Sequence, residues 1–280
     1  DISSNEIIIS LRNKTVNPEL FIGNKLWIIE EDSSENLLKK MFASTFTFLT
    51  AEKRKRDLIL GLLPPAQEEA IKTNKPELTE QQSEIISKAL AAKDYFLIQG
   101  PPGTGKTSFV LKNIAEYIYK NSDENVLFLT YTNRAADEIC KALKSIDPIP
   151  EMIRVGNKES SEHEDILLSK LTDDMSMNQV YKFTESTRFY ICTVAFALLN
   201  PELFKVKQFK TAIIDEASQI LEPQINGILT KVEKFIMIGD EKQLPAVVTQ
   251  AATMNKYLTD ELTQIGMDGS NISLFERLLH

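Results

Sequence analysis

The sequence predicts an α/β fold with an open, mainly parallel sheet and helices on both of its faces. Five short apolar runs of the kind found in buried parallel strands occur after residue 94. Several of them are followed by segments whose apolar residues recur at helical spacing. Alternation of such strands and helices is typical of an open parallel sheet. The runs are YFLIQ, VLFLT, FYICT, TAIID and KFIMIG.

The chain before these runs has a different pattern of apolar and turn residues. Residues 1–32 contain apolar runs separated by turn residues, which predicts short strands. The pattern is helical over residues 36–63, and Pro64 is expected to end the helix because proline has no backbone N–H. This segment contains the run KRKR at residues 53–56, which we interpret as a solvated helix face, with phosphate contact as the alternative.

Composition narrows the classes of function. The 280 residues include 32 Lys and Arg and 40 Asp and Glu, which gives a net charge of −8. This charge argues against nucleic-acid binding through the overall charge of the protein, but it leaves room for a local basic groove. No apolar run approaches the roughly 18 to 20 residues that span a bilayer, so no membrane partner is expected. Cys140 and Cys192 are interpreted as buried packing residues of a protein in a reducing compartment, the cytoplasm or the nucleus.

The stretch GPPGTGKT predicts a phosphate-binding loop. It satisfies the pattern G-x-x-x-x-G-K-[ST] and lies between a predicted strand and a predicted helix. Glycines let backbone N–H groups approach phosphate oxygens, and the helix N-terminus adds partial positive charge. Lys106 is expected to reach the β- and γ-phosphates of ATP, and Thr107 to coordinate Mg²⁺. The predicted ATP-binding residues of the loop are Gly100, Pro101, Pro102, Gly103, Thr104, Gly105, Lys106 and Thr107.

Two later strand ends extend the predicted site. TAIID ends in Asp215, which we expect to hold Mg²⁺ opposite Thr107, and Glu216 is then placed to orient and deprotonate the attacking water. A solvated helix start is the alternative explanation of this acidic pair. The last glycine of KFIMIG begins the stretch GDEKQLP, where Gln243 is a candidate contact to the γ-phosphate or the water, and a plain loop glutamine is an equal alternative.

GPPGTGKT, DEASQ and GDEKQLP, in this order, resemble motifs I, II and III of superfamily 1 helicases. They look most like the branch that holds the nonsense-mediated-decay helicases and the replicative helicase–nucleases. The resemblance covers residues 78–280 and implies a RecA-like P-loop NTPase motor domain. Residues 1–77 resemble the end of an inserted barrel, here incomplete, and the stalk helices that pack on the motor.

The resemblance also implies further contacts. LTEQQ is similar to the Q motif, which makes Gln82 the residue that reads adenine, with Gln81 as the less favoured register. VLFLTYTNRAADEI resembles motif Ia and implies that Thr132 and Asn133 contact nucleic-acid phosphates. ICTVAFALLNP implies the same for Thr193. The implied partner is single-stranded nucleic acid, with DNA favoured over RNA.

Three expectations concern the rest of the chain. Residues 148–187 are polar and irregular, and we expect a mostly helical insertion. The chain lacks an initiator Met and ends at His280, where the family's second motor domain is expected to begin, so the resemblance implies a fragment that binds nucleotide but hydrolyses it poorly. A P-loop ATPase that remodels proteins and a non-catalytic nucleotide-dependent clamp remain alternatives.

Overall fold

The structure is a computed structural model, and it describes two compact units, residues 1–33 and residues 34–280. The described residues are 2–3, 6–7, 33–71, 75–101, 103–156, 161–242, 259–267, 269 and 271–280. In the first unit, strands β1 (Ile2–Ser3) and β2 (Glu6–Ile7) pair antiparallel. The other strands predicted within residues 1–32 lie outside the described residues.

The second unit is built on a six-stranded sheet in which every pairing is parallel. Its strands are β3 (Tyr95–Gln99), β4 (Val126–Thr130), β5 (Met152–Arg154), β6 (Phe189–Thr193), β7 (Phe209–Ile214) and β8 (Val232–Gly239). The spatial order is β3-β8-β7-β4-β6-β5. The predicted fold class is confirmed, and all five apolar runs are strands of this sheet.

Helices cover both faces of the sheet. They are α1 (Ser33–Leu49), α2 (Lys53–Ile59), α3 (Glu80–Ala91), α4 (Lys112–Asn121), α5 (Asn133–Lys144), α6 (Leu168–Leu171), α7 (Met177–Ser186), α8 (Val194–Leu199), α9 (Leu203–Val206), α10 (Glu222–Leu229), α11 (Asp260–Gln264) and α12 (Leu274–Leu279). A π-helix spans Lys106–Leu111, and short 3₁₀ helices span Glu164–Ile166 and Ala217–Gln219. Within the described residues, no helix is long and apolar enough to cross a membrane.

Two apolar cores form because successive side chains of each strand point to opposite faces. One core packs the sheet against α3, α4 and α5 and includes Ile86, Ile114 and Ile139. The other packs it against α2, α10 and α12 and includes Leu58 and Phe275. Cys140 and Cys192 are fully buried as predicted, and burial raises the pKa of each thiol to about 12.

The predicted end of the helical segment over residues 36–63 was wrong. The structure has two helices there, and α2 stops at Ile59, before Pro64. Gly61 adopts a left-handed φ of 75°, which glycine accepts without a Cβ clash, and Leu62 N–H bonds back to the Asp57 carbonyl over 2.8 Å. The glycine turn therefore ends the helix before the proline is reached.

The KRKR run is only partly a solvated face. Lys53 is exposed, but Arg54 forms an ion pair with the buried Asp94 over 2.8 Å. Lys55 donates to the Glu233 carbonyl over 2.7 Å, and burial lowers its pKa to about 8. Part of this run therefore fixes α2 against the ends of β3 and β8.

The expectation of a mostly helical insertion at residues 148–187 needs correction. Helices α6 and α7 lie there, but so does β5, the edge strand of the sheet, which pairs with β6. A strand of three residues, Met152–Arg154, is too short to produce a recognisable apolar run.

A buried ion pair joins three elements beside the sheet. Arg277 of α12 donates from Nη2 to Glu222 of α10 over 3.0 Å and to the Ile59 carbonyl over 2.9 Å, and from Nη1 to the Leu60 carbonyl over 3.0 Å. Its side chain is 1% exposed. The guanidinium thus satisfies carbonyls at the end of α2 while it neutralises a buried carboxylate.

Replacing Arg277 with Met should lower the free energy of unfolding by about 3–5 kcal/mol, because Glu222 is left as an uncompensated buried charge. Urea unfolding measures this loss. The matched control is Lys53→Met, which breaks the ion pair of Lys53, 80% exposed, with Asp57 and should cost about 0–1 kcal/mol. Equal losses in the two variants would contradict this account of the buried pair.

Candidate nucleotide-binding site

The Gly-rich loop joins β3 to a π-helix at the carboxyl edge of the sheet. Gly103 and Gly105 have φ values of 77° and 76°, a region that residues with a Cβ seldom adopt. The Gly105 carbonyl accepts from the N–H groups of both Phe109 (2.8 Å) and Val110 (3.1 Å). The two glycines therefore produce the turn that leads the chain from β3 into the first helical turn.

Lys106 lies over the loop. Its Nζ donates to the carbonyl oxygens of Gly100 and Pro101, the latter at 3.1 Å. The Thr104 hydroxyl also donates to the Pro101 carbonyl, over 2.8 Å. The lysine ammonium is thus held at the mouth of the loop, where it is able to meet phosphate oxygens.

Thr107 and Asp215 come from separate strand–loop units and meet directly. The Thr107 hydroxyl donates to Asp215 Oδ2 over 2.6 Å. Asp215 follows β7, and β8 lies between β7 and the β3 strand that precedes the loop. A hydroxyl and a carboxylate are hard oxygen donors of the kind that Mg²⁺ takes beside substrate phosphates, so the residues present fit this ion.

The electrostatics of the two carboxyl groups are consistent with a cation site. Burial raises the pKa of Asp215, although the Thr107 hydroxyl, the Glu216 N–H and the charge of Lys106 act in the opposite direction. Burial also raises the pKa of Glu216, and the nearby Asp215 adds to the shift. Two neighbouring carboxylates in a desolvated place favour a cation that stabilises their ionised forms.

Glu216 has an unusual backbone. Its φ of 55° makes it the only residue other than glycine with a left-handed conformation in the part of the chain that the structure describes. Such a conformation costs roughly 1–3 kcal/mol and is typical of functional sites. The Thr132 hydroxyl donates to Glu216 Oε2 over 3.3 Å. Thr132, predicted to contact nucleic acid, is thus placed beside the candidate base.

These groups line a small cleft of about 230 Å³ at the carboxyl ends of the strands. The sequence did not single out Arg134, Glu138 or Ser218, which the structure adds to its lining together with Gly239 and Asp240. A second cleft, of about 500 Å³, runs between the Gly-rich loop and α5, where Glu138 and Lys141 face the loop. The helical spacing of residues 134, 138 and 141 is the signal that puts them on one face of α5.

Three of the predicted nucleotide contacts, Pro102, Gln243 and Gln82, are not tested by the structure. Pro102 and Gln243 lie outside the described residues. Gln82 lies in the first turn of α3, where its Oε1 accepts from the Thr79 N–H over 3.1 Å and its N–H donates to the Thr79 hydroxyl over 3.2 Å. The stretch TEQQ, from Thr79 to Gln82, is therefore a capping box. Gln82 is not among the residues that line either cleft, and its contact to adenine stays a prediction.

Two predicted nucleic-acid contacts also have roles inside the fold. The Thr193 hydroxyl accepts from the Phe196 N–H over 3.1 Å and caps α8, and the residue is 8% exposed. Asn133 is exposed, and its Oδ1 accepts from Nη2 of the fully buried Arg154 over 2.8 Å. Neither contact excludes a partner, so the nucleic-acid role of both residues stays a prediction.

A left-handed glycine loop before a helix, a lysine over the loop and a Thr–Asp pair at the end of β7 define a P-loop nucleotide-binding domain. A family model of the AAA domain matches residues 77–188 and 176–251. The chain belongs to this AAA-domain family. Its motifs and sequence relatives group it with superfamily 1 helicases of the helicase–nuclease type.

The relatives are much longer than this chain. It is 30% identical over 298 residues to the DNA replication ATP-dependent helicase/nuclease JHS1 of Arabidopsis thaliana, covering 99% of this chain and 21% of the relative. It is 35% identical over 179 residues to DNA2 of Saccharomyces cerevisiae, covering 62% and 11%. A solved structure of T4 UvsW aligns with a TM-score of 0.44 and 17% identity over 68% of this chain and 35% of the other. The chain spans about a fifth of the length of the first relative.

Gly105→Ala should weaken binding of a fluorescent Mg²⁺–ADP analogue by more than about tenfold, the effect of 1.4 kcal/mol. A Cβ there meets a ring carbon of Phe109 at 2.5 Å, so the Phe109 side chain or the loop has to shift. Gly103→Ala is the matched control, because its φ is the same but its Cβ meets nothing within 4 Å. Fluorescence titration of both variants tests this, and an equal loss of affinity would show that the close approach to Phe109 has no role.

Proposed function

We propose that residues 78–280 are the first motor domain of an ATP-dependent nucleic-acid helicase or translocase. The direct contact of Thr107 with Asp215, next to Glu216, carries this proposal, because it brings a metal-binding pair and a base candidate to the Gly-rich loop. The names of the relatives, which are DNA replication helicase/nucleases, support single-stranded DNA over RNA as the track.

In this proposal each side chain has a defined task. The loop amides and Lys106 bind the phosphates of ATP, and Thr107 and Asp215 are the residues that would hold Mg²⁺, which would supply positive charge to neutralise the phosphates. Glu216 orients a water and accepts its proton as the water oxygen bonds to the γ-phosphorus and the bond to the bridging oxygen breaks, releasing ADP and phosphate. Gln243 remains the candidate that contacts the γ-phosphate.

A second motor domain completes the mechanism. Family resemblance assigns to that domain the arginines that stabilise the transition state, and ATP-driven closure of the two domains would move the nucleic acid along a groove that includes Asn133 and Thr193. Stacking and phosphate contacts suit such a sequence-independent track. Residues 1–77 would be the partial barrel and the stalk helices.

The helicase assignment is tested by measuring steady-state ATPase activity with and without single-stranded DNA or RNA. We expect a protein that joins this domain to a second motor domain to be stimulated by single-stranded DNA. Residues 1–280 alone should bind Mg²⁺–ATP but hydrolyse it on the order of 10³-fold more slowly, because the family resemblance assigns the transition-state arginines to the second domain. Lys106→Ala should abolish the stimulated rate.

Two results would contradict this proposal. If neither polynucleotide stimulates the two-domain protein, a nucleotide-dependent clamp or a protein-remodelling ATPase becomes the better assignment. If residues 1–280 alone turn over ATP as fast as the two-domain protein, the catalytic need for the second domain is refuted.

A further inference from the structure

Phe109 is an exposed aromatic residue beside the Gly-rich loop. It lies in the π-helix that follows the loop, two positions after Thr107, and it is 44% exposed. The edge of its ring lies so close to Gly105 that a Cβ added there would be 2.5 Å from a ring carbon. Within the described residues, no other aromatic ring pairs with it. Single exposed apolar side chains are common on protein surfaces, so the informative feature of Phe109 is its position.

The helix face that carries Phe109 is turned toward the segment that precedes α3. Asn113 lies four positions further along on the same face, and its Nδ2 donates to the Phe109 carbonyl over 2.9 Å. Lys75 Nζ donates to Asn113 Oδ1 over 2.6 Å and forms an ion pair with Glu116 over 2.5 Å. The helix α3, which contains Gln82, contacts both the π-helix and α4. The segment before α3 is therefore fixed along the side of the helix on which Phe109 lies.

A nucleotide whose phosphates lie at the loop has two directions in which its base can extend. Toward α5 lies the cleft of about 500 Å³, which has charged residues such as Glu138 and Lys141 in its lining and no aromatic side chain. Toward α3 lies the ring of Phe109. One helical turn, about 5.4 Å along the axis, separates Phe109 from Gly105. A base that follows the phosphates by one ribose therefore comes level with a flat apolar surface, on which bases stack well.

The location of Phe109 in the sheet favours the base of a nucleotide over a base of the nucleic-acid track. Phe109 follows β3, which forms one edge of the sheet. Asn133 and Thr193, the predicted track contacts, lie at the ends of β4 and β6. Strands β8 and β7 lie between β3 and β4. The ring of Phe109 is thus adjacent to the phosphate-binding loop and separated from the predicted track.

We propose that the ring of Phe109 is the platform on which the base of the bound nucleotide stacks. The inference rests on the proposed function and deepens it, since it assigns to a residue of this chain the selection of a nucleoside triphosphate over a bare polyphosphate. Stacking engages the face of the base and leaves its edge to Gln82, whose contact to adenine is a separate prediction. Phe109 acts on binding, because it contacts neither the phosphates nor the bond that breaks.

Calorimetric titration with two Mg²⁺-bound ligands, a non-hydrolysable ATP analogue and inorganic tripolyphosphate, separates base contact from phosphate contact. We expect Phe109→Ala to weaken binding of the ATP analogue by at least about fivefold, the lower end of what loss of an aromatic stacking partner costs. Tripolyphosphate has no base, so its affinity should change by less than about twofold. Phe109→Leu, which keeps apolar bulk without a flat ring, should resemble Phe109→Ala, and Phe109→Tyr should resemble the wild type.

Phe46→Ala is the matched control. Phe46 is a phenylalanine of α1 that is 67% exposed and lines neither cleft of the nucleotide-binding site. Its removal takes away the same ring from another part of the surface, and both affinities should match those of the wild type. Lys106→Ala should weaken binding of both ligands, because the lysine is expected to contact the phosphates that the two ligands share.

The possible outcomes separate the inference from the proposed function. Unchanged affinity of Phe109→Ala for the ATP analogue would overturn the inference. An equal loss of affinity for the ATP analogue and for tripolyphosphate would also overturn it, because the ring would then only support the loop at Gly105. If the wild-type protein binds neither ligand, or if Lys106→Ala binds both as tightly as the wild type, the nucleotide site of the proposed function is refuted, and the inference with it.

Discussion

The parallel pairing of β3, β8, β7, β4 and β6 is the constraint on which the site depends. In-register pairs such as Gln99–Gly239 and Thr130–Thr193 bring the carboxyl ends of these strands to one edge of the sheet. Residues that follow different strands then meet there, although more than 100 positions separate Thr107 from Asp215. An open α/β sheet binds ligands at this edge for the same reason.

Several features of the site destabilise the folded state. Asp215 is 5% exposed, and burial raises its pKa, so its charged form is disfavoured until a cation compensates it. Glu216 adds a strained backbone and a second disfavoured charge. The apolar cores on both faces of the sheet and the buried Arg277–Glu222 pair supply the rigidity that keeps these groups in place. Desolvation that weakens the fold also strengthens the interaction with Mg²⁺ and phosphate.

The elements that could be predicted from the sequence are those that contiguous residues specify. The five apolar runs and the Gly-rich loop are contiguous patterns, and each maps onto a strand or a turn. β5 was not predicted because a strand of three residues is too short to show a periodic apolar pattern. The end of α2 was misplaced because Gly61, not Pro64, ends the helix. The contact of Thr132 with Glu216 joins positions 84 residues apart, so no local pattern indicates it. Long-range contacts of this kind depend on strand order, which the sequence did not define.

A crystal structure of residues 1–280 with Mg²⁺ and a non-hydrolysable ATP analogue tests the central claim most directly. The account predicts the metal about 2.0–2.1 Å from the Thr107 hydroxyl, with Asp215 beside it. It also predicts that Lys106 Nζ leaves the carbonyl oxygens of Gly100 and Pro101 for the phosphates. A metal bound away from Thr107 and Asp215, or phosphates away from the loop at residues 100–107, would contradict the account.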